Sequence, residues 1–312
     1  MPADLTQPQH LTVAQAYWNQ REKLARSRQR ILALSRAIGR PGDFSLYQWA
    51  QISALALEFA PDLILELGRG MGNSTSAFTE VANLLGAGSC RVLSLDLTDA
   101  WDTVALPRLR PLVPEDWFLP LSAIQADILQ FDFEAALAGA HRPLVFWDAH
   151  GFEVAECVLG RVLPLLAEKP HLVVMHDMSD ARYQAPDTYN YGESGLWKGD
   201  NAAGQYLFLG SIISGVAQAI AILDFSTRNR LPLHSADDEL HNELEAQPDK
   251  LVELERLLGK DLFSLQAHWA WFTLAEAPGP CTFPRLPIPD ALLTNAVEPK
   301  HHEVFKNFVR WK

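Results

Sequence analysis

Three glycines alternate directly behind a short apolar run in the stretch from Ile64 to Ser76, ILELGRGMGNSTS. A strand that ends in glycines and leads into a helix places unpaired backbone N–H groups, and the positive end of the helix dipole, at the edge of a parallel sheet. Anionic or polar ligands of the nucleotide type bind at such places. The turn therefore predicts a ligand site without identifying the ligand.

The spacing of the glycines narrows the class of ligand. The dinucleotide fingerprint G-x-G-x-x-G, counted from Gly68 and Gly70, requires a glycine where the chain has Asn73. A phosphate-binding P-loop requires a Gly-Lys-Ser or Gly-Lys-Thr sequence, which does not follow. The observed order is Glu66-x-Gly68-x-Gly70-x-Gly72. This order resembles the first motif of the class I S-adenosylmethionine-dependent methyltransferases, in which an acidic residue precedes G-x-G-x-G.

Acidic residues end the next apolar runs in the order that this resemblance implies. Asp96 ends VLSLD, roughly twenty residues beyond the glycines, where a carboxylate can accept hydrogen bonds from a ribose diol. Asp127 ends SAIQAD, where the family commonly contacts the adenine amino group, although an aspartate there is also a common helix cap. Asp148 follows PLVFW, beside the expected methyl group. The resemblance implies a cofactor site made of Glu66, Gly68, Gly70, Gly72, Asn73, Ser74, Asp96, Asp127 and Asp148.

Carboxylates and histidines follow the fourth and fifth predicted strands, and one explanation for them is a metal ion. The sequence resembles the cation-dependent O-methyltransferases, including relatives grouped with cephalosporin hydroxylases and macrolide sugar methyltransferases, in which carboxylates at these strand ends hold magnesium. Asp148 and Asp177 match two of those positions. The chain departs from the family pattern at His176 and Met178, where the relatives carry an acid or an asparagine. Magnesium prefers hard oxygen ligands, so the histidine counts against that ion.

The second explanation needs no metal. Methyl transfer to a hydroxyl group requires removal of its proton, and a histidine can take that proton near neutral pH. His150 and His176 each lie next to, or two residues from, an aspartate at the end of a neighbouring predicted strand. Both are therefore candidate catalytic bases.

The elements that would position these residues follow from the pattern of apolar side chains. Helical spacing of apolar residues predicts an N-terminal helical layer over residues 1–60, interrupted at Arg40-Pro41-Gly42. Short apolar runs then alternate with segments of helical length, which predicts a largely parallel sheet. The predicted strands are Leu63–Leu67, Arg91–Asp96, Ser122–Ala126, Leu144–Trp147 and Leu172–His176.

The resemblance completes this core as an α/β fold of the Rossmann-like type, with a seven-stranded, mostly parallel sheet and helices on both faces. The apolar runs Ala219–Phe225 and His268–Ala275 would supply the terminal antiparallel pair. We expect a methyltransferase domain over residues 61–276, with an aromatic-rich lid loop at 179–204 and a polar insertion at 227–262 before the last strand. Residues 277–312 form the expected C-terminal extension.

Composition limits the kinds of partner. The 312 residues carry a formal net charge of −12, which would repel a phosphate backbone, so a nucleic acid partner is not expected. No apolar run approaches the length of a membrane span, and the first residues lack the basic and then apolar order of a secretory signal, so we expect a cytoplasmic protein. Three cysteines are too few and too scattered for a disulfide framework or a zinc site.

The sequence thus predicts an S-adenosylmethionine-dependent methyltransferase acting on an oxygen of a small molecule, with a divalent cation such as magnesium as a second cofactor. An NAD-dependent oxidoreductase is the alternative enzyme, disfavoured by Asn73 and by the lack of a Tyr-x-x-x-Lys set. A non-catalytic homologue that binds the cofactor is the second alternative. The aromatic residues of 179–204 are compatible with a subunit contact in a homo-oligomer as well as with a lid.

Overall fold

A computed structural model describes residues 11–40, 44–176 and 213–284 of the chain. Three sequence predictions concern segments outside these ranges: the lid loop at 179–204, the metal ligand Asp177, and most of the C-terminal extension. The structure does not test the domain boundaries, which stay predictions. Among the described residues, no helix is both long enough and apolar enough to cross a membrane.

A sheet of seven strands forms the centre of the fold, in the order β3-β2-β1-β4-β5-β7-β6. Neighbouring strands from β3 to β5 run parallel, and β7 runs antiparallel to both β5 and β6. The strands are β1 (Leu63–Leu67), β2 (Arg91–Asp96), β3 (Leu121–Gln125), β4 (Pro143–Trp147), β5 (Leu172–His176), β6 (His234–Ser235) and β7 (Trp269–Phe272). The Rossmann-like, mostly parallel sheet predicted from the sequence is confirmed.

The sixth strand is not where the sequence predicted it. The run from 219 to 225 belongs to a helix, in which Ile222 and Phe225 are buried while Ile220 and Leu223 are exposed. Burial three residues apart is the period of a helix, whereas a strand would alternate every second residue. The observed β6 has only two residues, and it lies within the stretch 227–262 that was predicted as an insertion. Such a short strand leaves no periodic signal in the sequence.

Helices cover both faces of the sheet. The α-helices are α1 (Val13–Ile38), α2 (Leu46–Phe59), α3 (Asn73–Leu85), α4 (Leu106–Leu109), α5 (Phe133–Leu137), α6 (Phe152–Cys157), α7 (Ile213–Asn229), α8 (Ala236–Leu244) and α9 (Pro248–Leu262). One core cluster joins one face of the sheet to α1, α2, α3, α8 and α9, and a second joins the opposite face to α5, α6 and α7. Alternate strand residues enter opposite clusters, because successive side chains of a strand point to opposite faces.

The two N-terminal helices are separated at the break that the sequence predicted, since α1 ends at Ile38 and α2 begins at Leu46. Thr12 caps α1, and Gly39 ends it in the left-handed conformation that glycine adopts without strain. Ser45 and Gln48 form a reciprocal capping box at the start of α2. These two helices pack into the same core cluster as the sheet, and α2 lies beside α3, the helix that follows the glycine turn.

Candidate functional site

The three positions of the turn require glycine for different physical reasons. All three have positive φ angles, 90° for Gly68, 52° for Gly70 and 93° for Gly72. A Cβ atom on Gly68 would lie 2.7 Å from the backbone nitrogen of Ala149, and one on Gly72 would lie 2.5 Å from the ring of Trp101. A Cβ atom on Gly70 would meet no atom within 4 Å. Gly68 and Gly72 therefore allow close packing, whereas Gly70 faces open space that a ligand can enter.

Asp96, at the end of β2, holds the glycine turn. Its Oδ2 accepts hydrogen bonds from the backbone N–H groups of Arg69 and Gly70, each at 2.9 Å. Its Oδ1 accepts from the backbone N–H of Thr98 at 2.8 Å and from the Thr98 hydroxyl at 2.7 Å. Partial burial opposes the charge, but these hydrogen bonds outweigh it and hold the pKa of Asp96 below its ordinary value. The carboxylate is thus anionic, and its four acceptor positions are all used within the chain.

Glu66 lies in β1, completely buried beneath the turn. Its Oε2 accepts a hydrogen bond of 2.6 Å from the Thr75 hydroxyl, while its Oε1 has no partner among the described residues. Burial raises the pKa of Glu66 to about 7, although nearby hydroxyl groups and the Arg69 guanidinium act in the opposite direction. The predicted cofactor contact of Glu66 stays a prediction.

Arg69, between the first two glycines, turns inward rather than toward solvent. Its side chain is buried, and Nη1 donates to the carbonyl oxygen of Ser94 at 2.9 Å and to the Ser94 hydroxyl at 3.1 Å. The guanidinium interacts electrostatically with the carboxylates of both Glu66 and Asp96. Arg69 was not among the residues predicted from the sequence, although a charged side chain between two glycines of a buried turn is itself a signal that it has partners.

The first residues of α3 form the floor of the turn. Gly72 is the N-cap and provides no side-chain hydrogen bond, so no capping side chain covers the N–H groups of the first turn. Asn73 and Ser74, both predicted to bind the cofactor, are buried there. The Asn73 side chain donates to the carbonyl oxygen of Arg40 at 2.9 Å, and its own oxygen has no partner among the described residues. Within the described part of the chain, this helix end therefore has no capping side chain at its N–H groups and one buried acceptor without a partner.

Asp127 stands apart from this group. It is exposed after β3, and its Oδ1 accepts from the backbone N–H of Leu129 at 2.9 Å, which caps the short 3-10 helix Ile128–Gln130. This is the capping role that the sequence left open as its alternative. Its predicted contact with adenine stays a prediction.

Asp148 and His176 meet at the carboxyl ends of β4 and β5. The ring Nδ1 of His176 lies 3.1 Å from Oδ1 of Asp148, and the ring Nε2 lies 3.1 Å from Nε2 of Gln48. His176 is 3% exposed and packs against the rings of Phe44 and Phe146. Because both ring nitrogens have partners and the ring is buried, His176 is poorly placed to take a proton from a substrate.

His150 is the more accessible of the two candidate bases. Its Nε2 lies 3.9 Å from Oδ1 of Asp148, and its side chain is 32% exposed. The same carboxylate oxygen thus lies near both histidines. Over the described ranges, no group of three or more histidine, cysteine, aspartate or glutamate residues is arranged to hold a metal ion. Because Asp177 lies outside those ranges, the predicted pair Asp148 and Asp177 stays a prediction.

Comparisons with known proteins give matches among solved structures alone. No protein-family model and no curated protein matches the chain. Among solved structures, cmcI with S-adenosylhomocysteine aligns at 20% identity with a TM-score of 0.30, over 42% of this chain and 59% of that one.

A Podospora anserina methyltransferase bound to S-adenosylhomocysteine aligns at 14% identity with a TM-score of 0.42, over 70% of this chain and 81% of that one. Geranyl diphosphate C-methyltransferase from Streptomyces coelicolor, in complex with Mg²⁺, geranyl diphosphate and S-adenosylhomocysteine, aligns at 15% identity with a TM-score of 0.32, over 76% of this chain and 85% of that one. At these values none of the three structures assigns an activity to this chain.

Proposed function

We propose that this chain is an S-adenosylmethionine-dependent methyltransferase that acts on an oxygen of a small molecule. The observation that carries the proposal is the set of groups at the carboxyl ends of neighbouring parallel strands. The open turn at Gly70 follows β1, Asp96 ends β2, and the Asp148–His176 pair joins β4 to β5. Ligands of α/β sheets bind outside the carboxyl ends of the strands, where the strand order reverses, and here it reverses between β1 and β4.

The residues present fit this cofactor. Gly70 leaves open space beside a helix end with uncapped N–H groups. The orphaned oxygens of Glu66 and Asn73 are acceptors that the ammonium group of a methionine moiety would satisfy. Asp96 can accept hydrogen bonds from ribose hydroxyls if the side-chain hydroxyl of Thr98 rotates away from the carboxylate. When bound, the cofactor would supply a methyl group from its sulfonium sulfur, which leaves as the thioether of S-adenosylhomocysteine.

The chain must also deprotonate the hydroxyl group that accepts the methyl group. His150 is the candidate base, since it is exposed and lies beside the Asp148 carboxylate, which would stabilise its protonated form. A divalent cation held by Asp148 and Asp177 is the alternative means of lowering the pKa of that hydroxyl. Magnesium suits the two carboxylates. The two mechanisms differ in the role of Asp148. In the first its carboxylate stabilises protonated His150, and in the second it binds the cation.

The acidic character of the chain supports a small-molecule acceptor rather than a nucleic acid, since the net charge is −12. A cytoplasmic location and a homo-oligomer belong to the same proposal. The alternative of an NAD-dependent oxidoreductase differs in its ligand, and the alternative of a non-catalytic homologue differs in turnover. Each can therefore be separated from the main proposal by one measurement.

The proposal is tested by calorimetric titration of the protein with S-adenosylmethionine and with NAD, using two glycine variants. Gly70 and Gly88 both have positive φ, and a Cβ atom on either would meet nothing within 4 Å, but Gly88 precedes β2 at the opposite edge of the sheet. Leucine carries a similar backbone strain of about 1–2 kcal/mol at both. We expect Gly70→Leu to abolish S-adenosylmethionine binding and Gly88→Leu to retain it.

Tight binding of NAD with no binding of S-adenosylmethionine would overturn the proposal in favour of the oxidoreductase. Equal loss of binding in both variants would mean that strain, and not occupation of the site, is responsible. Binding of S-adenosylmethionine without S-adenosylhomocysteine formation across a panel of hydroxylated small molecules would favour the non-catalytic homologue.

A further inference from the structure

The side-chain amide of Gln48 has a fixed orientation. Its Oε1 accepts from the backbone N–H of Ser45 at 2.8 Å and from the Ser45 hydroxyl at 2.9 Å, while the backbone N–H of Gln48 donates to the Ser45 oxygen at 3.3 Å. Only the amide oxygen can accept from a backbone N–H. The capping box of α2 therefore turns the NH₂ group of Gln48 away from the helix and into the protein.

Both hydrogens of that NH₂ group have acceptors. Nε2 of Gln48 donates to the carbonyl oxygen of Ala267 at 2.8 Å and lies 3.1 Å from the ring Nε2 of His176. Because Gln48 is the donor, the ring Nε2 must accept, and the proton of a neutral ring must then reside on Nδ1. A proton on the ring Nε2 would point at the NH₂ group, so that two hydrogen-bond donors would face each other with no acceptor between them.

The Nδ1 proton completes a chain of hydrogen bonds from the helix to the site. Nδ1 lies 3.1 Å from Oδ1 of Asp148, so the Nδ1–H group donates to that carboxylate. The rings of Phe44 and Phe146 pack against the imidazole, which cannot turn without leaving both partners. Oδ2 of Asp148 is the oxygen that this chain of bonds does not use. The carboxylate is thereby held through Oδ1.

We propose that Gln48 is a positioning residue for Asp148. It fixes His176 as the neutral Nδ1–H tautomer, and His176 in turn orients the Asp148 carboxylate toward the acceptor or its cation. Ring orientation by a hydrogen bond to the second nitrogen is a general way in which proteins fix the tautomer of a histidine. The use of this orientation in methyl transfer rests on the proposed function, but the hydrogen bonds themselves belong to the free protein.

Gln51, on the same helix, offers a matched control. It is buried like Gln48, and its Nε2 donates to the carbonyl oxygens of Ser264 and Gln266, each at 2.9 Å. Its Oε1 accepts from the indole N–H of Trp269 at 3.3 Å. Gln51 thus anchors α2 to the same loop before β7, with amide bonds that go to the loop and to Trp269 instead of to His176.

The test is a long-range ¹H–¹⁵N correlation spectrum of the free protein with ¹⁵N-labelled histidine, in which the pattern of cross-peaks distinguishes the two neutral tautomers. The spectrum of His176→Asn assigns the signals of His176. We expect the Nδ1–H pattern in the unmodified protein and in Gln51→Met, and loss of this single pattern in Gln48→Met. Thermal unfolding establishes that both variants are folded at the temperature of the measurement.

Three results would overturn the inference: an Nε2–H pattern in the unmodified protein, an unchanged Nδ1–H pattern in Gln48→Met, or equal loss of the pattern in both glutamine variants. The last would mean that the contact of α2 with the loop, rather than the Gln48 amide, fixes the ring. Calorimetry with S-adenosylmethionine on the unmodified protein keeps the two proposals separate. Absence of binding there would remove the methyltransferase and leave the tautomer result standing.

Discussion

At the scale of the residue, Asp96 lies at the predicted ribose site and also holds the glycine turn. The sequence predicted a ribose contact for this residue, and the structure shows its carboxylate bound to the N–H groups of Arg69 and Gly70 and to Thr98. Those bonds hold the turn whether or not a ligand is present. A ribose contact would have to take the place of one of them, and the exposed Thr98 hydroxyl is the one that can move away.

We therefore expect Asp96→Ala to weaken S-adenosylmethionine binding by about 1.5–3 kcal/mol, the usual value of hydrogen bonds to a charged group, and also to lower the thermal midpoint, because three backbone N–H groups lose their acceptor. Thr98→Ala removes only the hydroxyl and should leave the dissociation constant unchanged or lower. Calorimetry on both variants checks this. An equal loss of affinity in Thr98→Ala would mean that Asp96 acts on the turn alone and contacts no ribose.

Glu66 gives the stability of the protein a pH dependence of known sign. Its pKa rises from 4.5 to about 7 on folding, because the carboxyl group is buried. Between these values the folded chain holds a proton that the unfolded chain has released, so the free energy of unfolding falls as the pH rises through this window and is level above it. Glu66→Gln has no proton to lose.

The free energy of unfolding of the native protein, minus that of Glu66→Gln, should accordingly decrease from pH 4.5 to pH 7, as measured by urea denaturation. Taking the difference cancels the titration of the other groups. The exposed Glu134, changed to Gln, controls for the loss of one acidic group. A level difference for Glu66→Gln would show that the buried carboxyl group is ionised at an ordinary pKa.

At the scale of the element, the glycine turn lies beside Asp148 because the ends of β1 and β4 approach each other closely. The Cβ atom of an alanine at Gly68 would lie 2.7–2.9 Å from the backbone of Asp148 and Ala149, which directly follows β4 and cannot move aside like a flexible side chain. The φ of 90° adds backbone strain. The juxtaposition of β1 and β4 that brings the turn beside Asp148 depends on this glycine.

We expect Gly68→Ala to lower the free energy of unfolding by about 2–5 kcal/mol, from roughly 1–2 kcal/mol of backbone strain and about 1–3 kcal/mol of overpacking. Gly139→Ala is the control, since its φ is not positive and its Cβ atom would meet nothing within 4 Å. Denaturant midpoints of the two variants provide the measurement. A loss below about 1 kcal/mol for Gly68→Ala would mean that β4 yields more easily than its hydrogen bonds suggest.

The elements also show what a single sequence can and cannot predict. The first five strands were predicted to within one residue at each end, because buried parallel strands are continuous apolar runs between helical segments. The two-residue β6 left no such run, and 219–225 was apolar for a different reason, as one face of α7. The candidate site residues at the strand ends were predicted from their order, and their roles stay predictions. Gln48 was not, since 128 positions separate it from His176 and only the fold brings the two together.

At the scale of the whole molecule, the net charge of −12 complicates the question of a metal ion. An acidic protein attracts divalent cations to its surface without any specific site. This background falls at physiological ionic strength, where the Debye length is about 8 Å, whereas a pair of carboxylates that coordinates an ion directly is screened much less. Binding must therefore be measured in salt, and against a variant with the same change of charge elsewhere.

The proposed cation site then makes a specific prediction for Mn²⁺, which substitutes for Mg²⁺ at oxygen ligands and is detected by electron paramagnetic resonance. In about 0.15 M salt we expect the protein to bind one equivalent of Mn²⁺, and Asp148→Asn to lose it, although the asparagine oxygen can still accept from His176. Asp127→Asn removes the same charge from an exposed strand end and should retain the ion. If the unmodified protein binds no Mn²⁺, or if both variants behave alike, the cation is excluded and deprotonation of the acceptor falls to His150.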